Sequence, residues 1–186
     1  MKFAQIHISL YRVFLLIGLL FSSGCQNFQL GSPAAYTFET LYIRPATNDS
    51  FAPQAQALLS GQLRDTFISD GRIRLVTNTD DADAILDVNL TEYDRDTAAR
   101  DSDDTIIAQD FDLNLTAEIS LYNQATGKPY FERRRLIETS NAYVDNPYRQ
   151  SDQLATQSFL QSEFQAMPRL TRDLARQIAD EVLSPW

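Results

Sequence analysis

Residues 110–121 read DFDLNLTAEISL, and this stretch decides the fold. Phe111, Leu113, Leu115, Ala117, Ile119 and Leu121 fall on one side of an extended chain. Asp110, Asp112, Asn114, Thr116, Glu118 and Ser120 fall on the other. Strand side chains point alternately to the two faces, so strict period-two alternation predicts a sheet with one packed face and one wet face. Working outward, residues 84–91 alternate in the same way, with Ala84, Leu86, Val88 and Leu90 against Asp87, Asn89 and Thr91. Residues 130–139 follow a turn over 123–128 that contains Gly127, and they read as a strand pairing back. Residues 94–105 (DRDTAARDSDDT) are charged and lack an apolar anchor, which predicts a mobile hairpin tip.

Upstream, residues 37–44 (TFETLYIR) predict a first strand closed by Pro45, and residues 47–50 a turn. Pro53 suits the first turn of a helix, where its missing N–H is not needed. Ala55, Leu58, Leu59, Leu63 and Phe67 recur at helical spacing, and Asp70-Gly71 supplies a terminating glycine able to take positive φ. Residues 72–77 (RIRLVT) predict a short strand and residues 78–83 an acidic turn. Downstream, residues 141–151 read as a loop with Tyr143, Pro147 and Tyr148. Residues 153–183 read as a helix with an apolar stripe of Leu160, Phe164, Met167, Leu170, Leu174, Ile178 and Val182. Pro168 is expected to kink or split it, because proline removes an internal bond and clashes with the preceding turn. The order β-α-β-β-β-β-α predicts an α+β fold, a mainly antiparallel sheet with two helices packed on one face.

The first residues carry a different signal. Lys2 and Arg12 precede an apolar run, VFLLIGLLF at 13–21, and Ser22-Ser23-Gly24-Cys25 follows. Cations, a short greasy core and small residues are the three parts of a secretory signal. A single-pass anchor is the competing reading, but the core is short for a bilayer of roughly 30 Å and polar sequence resumes at once. Cys25, the only cysteine, stands where a bacterial lipobox places its lipidated cysteine, although Ser22 occupies the position where leucine is usual. The expectation is cleavage between Gly24 and Cys25 and a lipid on the Cys25 thiol. Gln26 next to it, rather than Asp, points to the outer membrane. The predicted organisation is therefore a removed signal over 1–24, a lipidated tether over 25–36 and one domain over 37–186.

Cleavage would leave 186 − 24 = 162 residues, and 14 cations against 25 acids, a charge of 14 − 25 = −11. Such a body repels phosphate backbones, so no nucleic-acid partner is expected. The lone histidine, His7, lies in the signal segment. Without histidine or a free thiol the expected domain can build no Cys/His metal site, no disulfide and no histidine-dependent triad or dyad. No metal, no cofactor and no catalytic residue are expected, and the chain is read as not an enzyme.

Three groups remain. Asp94, Asp96, Asp101, Asp103 and Asp104 could form a calcium loop, but the spacing and glycine of that motif are missing, and a solvated tip is the simpler reading. Arg133-Arg134-Arg135 either binds anionic groups through guanidinium forks or pairs with acids on neighbouring strands; Arg133 and Arg135 should share a face that Arg134 does not. Tyr42, Tyr93, Tyr122, Tyr130, Phe131, Tyr143 and Tyr148 either meet a partner or pack the sheet.

On these residues the chain resembles the lipopolysaccharide-assembly lipoproteins of the LptE family. Residues 24–31 (GCQNFQLG) resemble the family's start, with Phe28 where tyrosine is usual. Leu41-Tyr42-Ile43-Arg44-Pro45 with Asn48, and the helix end Phe67-Ile68-Ser69-Asp70-Gly71-Arg72, follow in order. Ala82-Asp83-Ala84-Ile85-Leu86 opens the long hairpin, and Gly127 precedes an aromatic-Glu step at Tyr130-Phe131-Glu132. Leu174-Ala175-Arg176-Gln177-Ile178 and Trp186 resemble the closing helix. The resemblance implies an outer-membrane lipoprotein that plugs, and helps assemble, an LptD-like β-barrel inserting lipopolysaccharide into the outer leaflet, with lipopolysaccharide as a candidate ligand. Basic tip residues contact the glycolipid in that picture; here only Arg95 and Arg100 are basic, and no ligand-binding residue is assigned. The competing function is a lipid-binding auxiliary lipoprotein of an ABC-type lipid transporter.

Overall fold

The computed structural model describes residues 38–100, 108–144 and 158–184. Its elements are β1 (Thr40–Ile43), β2 (Thr47–Asn48), α1 (Pro53–Asp70), β3 (Arg74–Leu75), a 3-10 turn (Thr79–Asp81), β4 (Ala84–Arg100), β5 (Ala108–Asn123), β6 (Pro129–Tyr143) and α2 (Phe159–Leu183). The sheet runs β3-β1-β4-β5-β6, with β2 pairing β4 beyond the end of β1. The long pairings, β4 with β5 and β5 with β6, are antiparallel as expected. The short strands add a parallel part, because β1 pairs in parallel with β3 and β4, and β2 with β4. A parallel neighbour needs a crossover, and α1 supplies it between β1 and β3.

The alternation of β5 becomes burial. Leu113, Leu115, Ala117, Ile119 and Leu121 have no exposed surface and meet the helices. Helix α1 contributes Ala55, Leu59, Leu63 and Phe67 to the same core, and α2 contributes Met167, Leu170, Leu174, Ile178 and Val182. Pro53 does open α1, and Gly71 closes it at φ 72° with its N–H on the Phe67 carbonyl. That left-handed cap costs glycine little and a β-carbon-bearing residue more.

Four expectations need correction. The strand β4 continues to Arg100, so residues 94–100 are strand rather than hairpin tip. A bulge lies between Leu90 and Glu92, where Leu90 opposes Ala117 and Glu92 opposes Thr116. The extra residue, Thr91, reverses the phase, so Glu92, Asp94 and Asp96 take the wet face and Tyr93 and Arg95 the helix face. Residues 47–48 are a two-residue strand rather than turn; the turn comes after them, where the Asn48 side chain accepts from the Ser50 N–H. The last hairpin strand reaches Tyr143, so the expected loop from 141 begins later. Helix α2 begins at Phe159, Pro168 does not split it, and its stripe does not hold throughout: Leu160 and Phe164 are 73% and 70% exposed. Residues 145–157, with Pro147 and Tyr148, lie outside the described residues, as do Asp101, Asp103 and Asp104.

Candidate functional surfaces

The chain's ends of β1 and β4 are tied by one acid. The Asp83 carboxylate accepts from the Glu39 N–H at 3.0 Å, the Thr40 N–H at 2.9 Å and the Thr40 hydroxyl at 2.8 Å. The Asp83 N–H in turn reaches Thr40 Oγ1 at 2.8 Å. The Thr40 hydroxyl and these amides hold the Asp83 carboxyl below the usual carboxylate range. The Ala-Asp-Ala run of the sequence thus marks a strand-to-strand clasp.

The wet face carries a ladder of charge. Arg44 reaches both Asp87 oxygens through Nη1, at 3.1 and 2.9 Å, Arg133 meets Glu118 at 3.0 Å, and Arg135 meets Glu92 at 2.5 Å. Arg134 points to the opposite face, where it pairs with Glu181 of α2 and lies 4.5 Å over the Phe131 ring. The arginine run therefore pairs with neighbouring acids, with the facing the sequence predicted. A bulge places Arg133 at φ 52°, with its N–H on Ser120 Oγ. Between β1 and β2 a notch of about 300 Å³ is lined by Arg44, Thr47, Asp87, Asn89 and Ser120. Partial burial there raises the Asp87 carboxyl above its ordinary value, against the pull of Arg44.

Farther along the hairpin the wet face is amide and acid. Asn114 donates to Asp96 at 3.0 Å and accepts from Thr139 at 2.7 Å, while Asn141 donates to Asp112 at 2.7 Å. Asp96 and Asp112 stand opposite each other in register. Among the described residues no group of three or more His, Cys, Asp or Glu is placed to hold a metal ion.

On the helix face, the phase reversal brings Arg95 to Glu163 of α2. Arg95 reaches Glu163 Oε1 through Nε at 3.0 Å and Nη2 at 2.6 Å, and the Tyr93 hydroxyl donates to the same oxygen at 2.6 Å. The guanidinium also lies 5.3 Å from the Tyr93 ring centre and 5.4 Å from that of Phe159. Burial, then the bond to Glu163, pushes the Tyr93 hydroxyl up, so it stays a donor. Arg95 is therefore committed to the fold rather than to a tip. Sequence reading missed Glu163; the available signal was a lone acid between Ser162 and Met167 on the buried side of an apolar helix.

The aromatics divide. Tyr93 and Phe131 are buried, and Tyr130 packs on Phe38 with centroids 5.6 Å apart. Tyr143 is exposed, as are Phe51, Ile68, Ile137, Leu160 and Phe164. Gly24 and Cys25, the expected cleavage and lipidation positions, lie outside the described residues. Among the described residues no helix is long and apolar enough to cross a membrane.

These features define an α+β domain with two helices on one sheet face and a polar, charge-laddered face left to solvent. The LptE family model, described as lipopolysaccharide-assembly, matches residues 38–182, and the chain belongs to that family. The same fold occurs in a minor lipoprotein of Acinetobacter baumannii, 18% identical over 81% of this chain and 93% of that one, with a TM-score of 0.50. A Xanthomonas campestris protein shares it at 8% identity, over 82% of this chain and 88% of that one, with a TM-score of 0.55. No curated protein matches this chain by sequence.

Proposed function

We propose that this chain is the outer-membrane lipoprotein subunit of a lipopolysaccharide-assembly complex, where it plugs an LptD-like β-barrel and assists its assembly. Membership of the LptE family over residues 38–182 carries the reading. In it, Cys25 bears the lipid after cleavage behind Gly24, and the anchor holds the domain on the periplasmic side of the outer membrane. The protein performs no covalent chemistry. Its part is shape: a long hairpin stiffened by cross-strand pairs on its open face offers a broad polar surface to the barrel's interior. Lipopolysaccharide is the candidate ligand of the assembled pair.

The test is affinity capture of the tagged, full-length protein from detergent-solubilised outer membranes. Recovery of a large β-barrel of the LptD type is expected. Recovery of ABC-transporter components without a barrel would overturn the proposal.

A further inference from the structure

We propose that residues 159–167, the first turns of α2, form a hinged cover that opens about Pro168 while the rest of the helix stays in place. The helix is held by two different means along its length. From Leu170 to Leu183 its inward side chains are buried and apolar apart from Thr171, whose hydroxyl donates to the Met167 carbonyl at 2.9 Å, and α1 packs beside it. Before Pro168 Ala166 and Met167 are buried in the core, and polar, lateral contacts to the sheet take over toward the helix start. Glu163 takes Tyr93 and Arg95 from β4, and the Ser162 hydroxyl donates to the Tyr143 carbonyl of β6. Phe159 leans on Phe111 with centroids 4.7 Å apart. Leu160 and Phe164, the other large apolar side chains there apart from Met167, are exposed and add little to the core.

Pro168 sits at the junction. It has no N–H for the Phe164 carbonyl, so the helix lacks one bond where the two regimes meet. Its own carbonyl accepts from Gln62 Nε2 of α1 at 2.8 Å, which fixes the hinge point to the other helix. Arg169, just past it, donates to Ser140 Oγ and the Asn141 carbonyl and anchors the far side to β6. Opening needs the Glu163 and Ser162 contacts to part, and it bares Phe111 and the row of Leu113, which lies between Arg95 and Ser140 in register. Stability varies along a structure, and short segments with few buried apolar contacts open without global unfolding.

Hydrogen exchange along α2 of the full-length protein in detergent tests this. The informative amides are those of 163–167, whose acceptors lie before the hinge, and those of 173–182, whose acceptors lie beyond it. The first group is expected to exchange at least about tenfold faster than the second. Glu163→Gln should raise exchange in the first group by about a further tenfold. Pro168→Ala, which keeps the carbonyl used by Gln62 and restores the missing N–H, should narrow the gap between the groups. Thermal unfolding shows that each variant is folded. Equal exchange of both groups in the parent, or an unchanged gap in Pro168→Ala, overturns the hinge. A Glu163→Gln protein whose first group exchanges at the parent's rate overturns the latch.

Discussion

Arg95 of β4 and Glu163 of α2, 68 positions apart in sequence, meet through two donors on one carboxylate oxygen, at 3.0 and 2.6 Å. The Glu163 side chain is 6% exposed and that of Arg95 46%. This asymmetry decides which substitution hurts. In Glu163→Ala the buried Tyr93 hydroxyl loses its acceptor, while Arg95 can turn to water. The expected loss is about 1–3 kcal/mol, the cost of leaving the buried Tyr93 hydroxyl without an acceptor. For a domain of this size each kcal/mol lowers Tm by about 2–4 °C. Tyr93→Phe should cost about 1 kcal/mol. A double-mutant cycle between these positions should show positive coupling; strict additivity would mean that the bond carries no energy.

The pairing also marks where sequence reading fails. The alternation of β5 is local, so residues 110–121 are enough to read it. Pro53 and Gly71 are equally local, because each acts through its own backbone torsion or donor. Residues 94–100 look like a loop since every side chain but Thr97, Ala98 and Ala99 is charged. One extra residue at Thr91 turns Arg95 inward, and the compensating acid comes from a helix far along the chain. The parallel partners of β1 are hidden for a related reason: four residues hold too little pattern to name a neighbour, and tertiary contact chooses it. Leu160 and Phe164 keep the helical spacing of the stripe and still face solvent, because spacing gives the side of a helix and not how far its cover extends.

Asp83 gives a dependence on pH. Its carboxyl is held below the ordinary value by the Thr40 hydroxyl and the Glu39 and Thr40 amides. A depressed folded-state value means that the unfolded chain binds the proton more readily. The stabilisation is therefore fully present above the unfolded value of about 3.9 and is lost as pH falls through the lower, folded value. Asp83→Asn should be less stable than the parent at pH 7, and the difference should shrink in acid. Urea unfolding at several pH values reads this directly, and a constant difference down to pH 2 would contradict it.

Burial and exposure along the hairpin predict opposite costs for neighbouring rows. Leu115 has no exposed surface, and Leu115→Ala should lose about 3–4 kcal/mol through lost transfer energy and the cavity left behind. The Arg135–Glu92 pair lies across β5 on the wet face with side chains 60% and 49% exposed. Glu92→Gln should change stability by less than about 1 kcal/mol, and less still at high salt. Denaturant midpoints measured side by side test the pair. A large loss in Glu92→Gln would mean that the wet face is held by its ion pairs rather than by the backbone ladder beneath them.

Gly71 sits at φ 72°, and a β-carbon placed there would meet nothing within 4 Å. Crowding by neighbours is thus absent, and the backbone conformation alone sets the cost. Gly71→Ala should lose about 1 kcal/mol, the usual penalty for holding an L-residue in the left-handed region. Gly71→Asn should lose less, because asparagine tolerates that region better. Equal stability of parent and alanine variant would show that the helix end relaxes to another cap.

The proposed anchor is tested at Cys25. Gly24-Cys25 follows a cationic start and a short apolar run, so cleavage and lipid attachment are expected at the Cys25 thiol. Cys25→Ser removes the only thiol in the chain, and no second cysteine can substitute for it. Metabolic labelling with a radioactive fatty acid should mark the parent and leave the variant blank. Each buried lipid CH₂ is worth about 0.8 kcal/mol, so loss of the chains should also move the protein from the membrane fraction to the soluble one. The fold of the LptE domain should be untouched, because Cys25 lies outside the residues 38–182 that the family model matches. Capture of the proposed barrel partner by the Cys25→Ser variant then separates address from recognition. Retained capture in detergent would place recognition in the folded domain, whereas lost capture would make the lipid itself part of the interface.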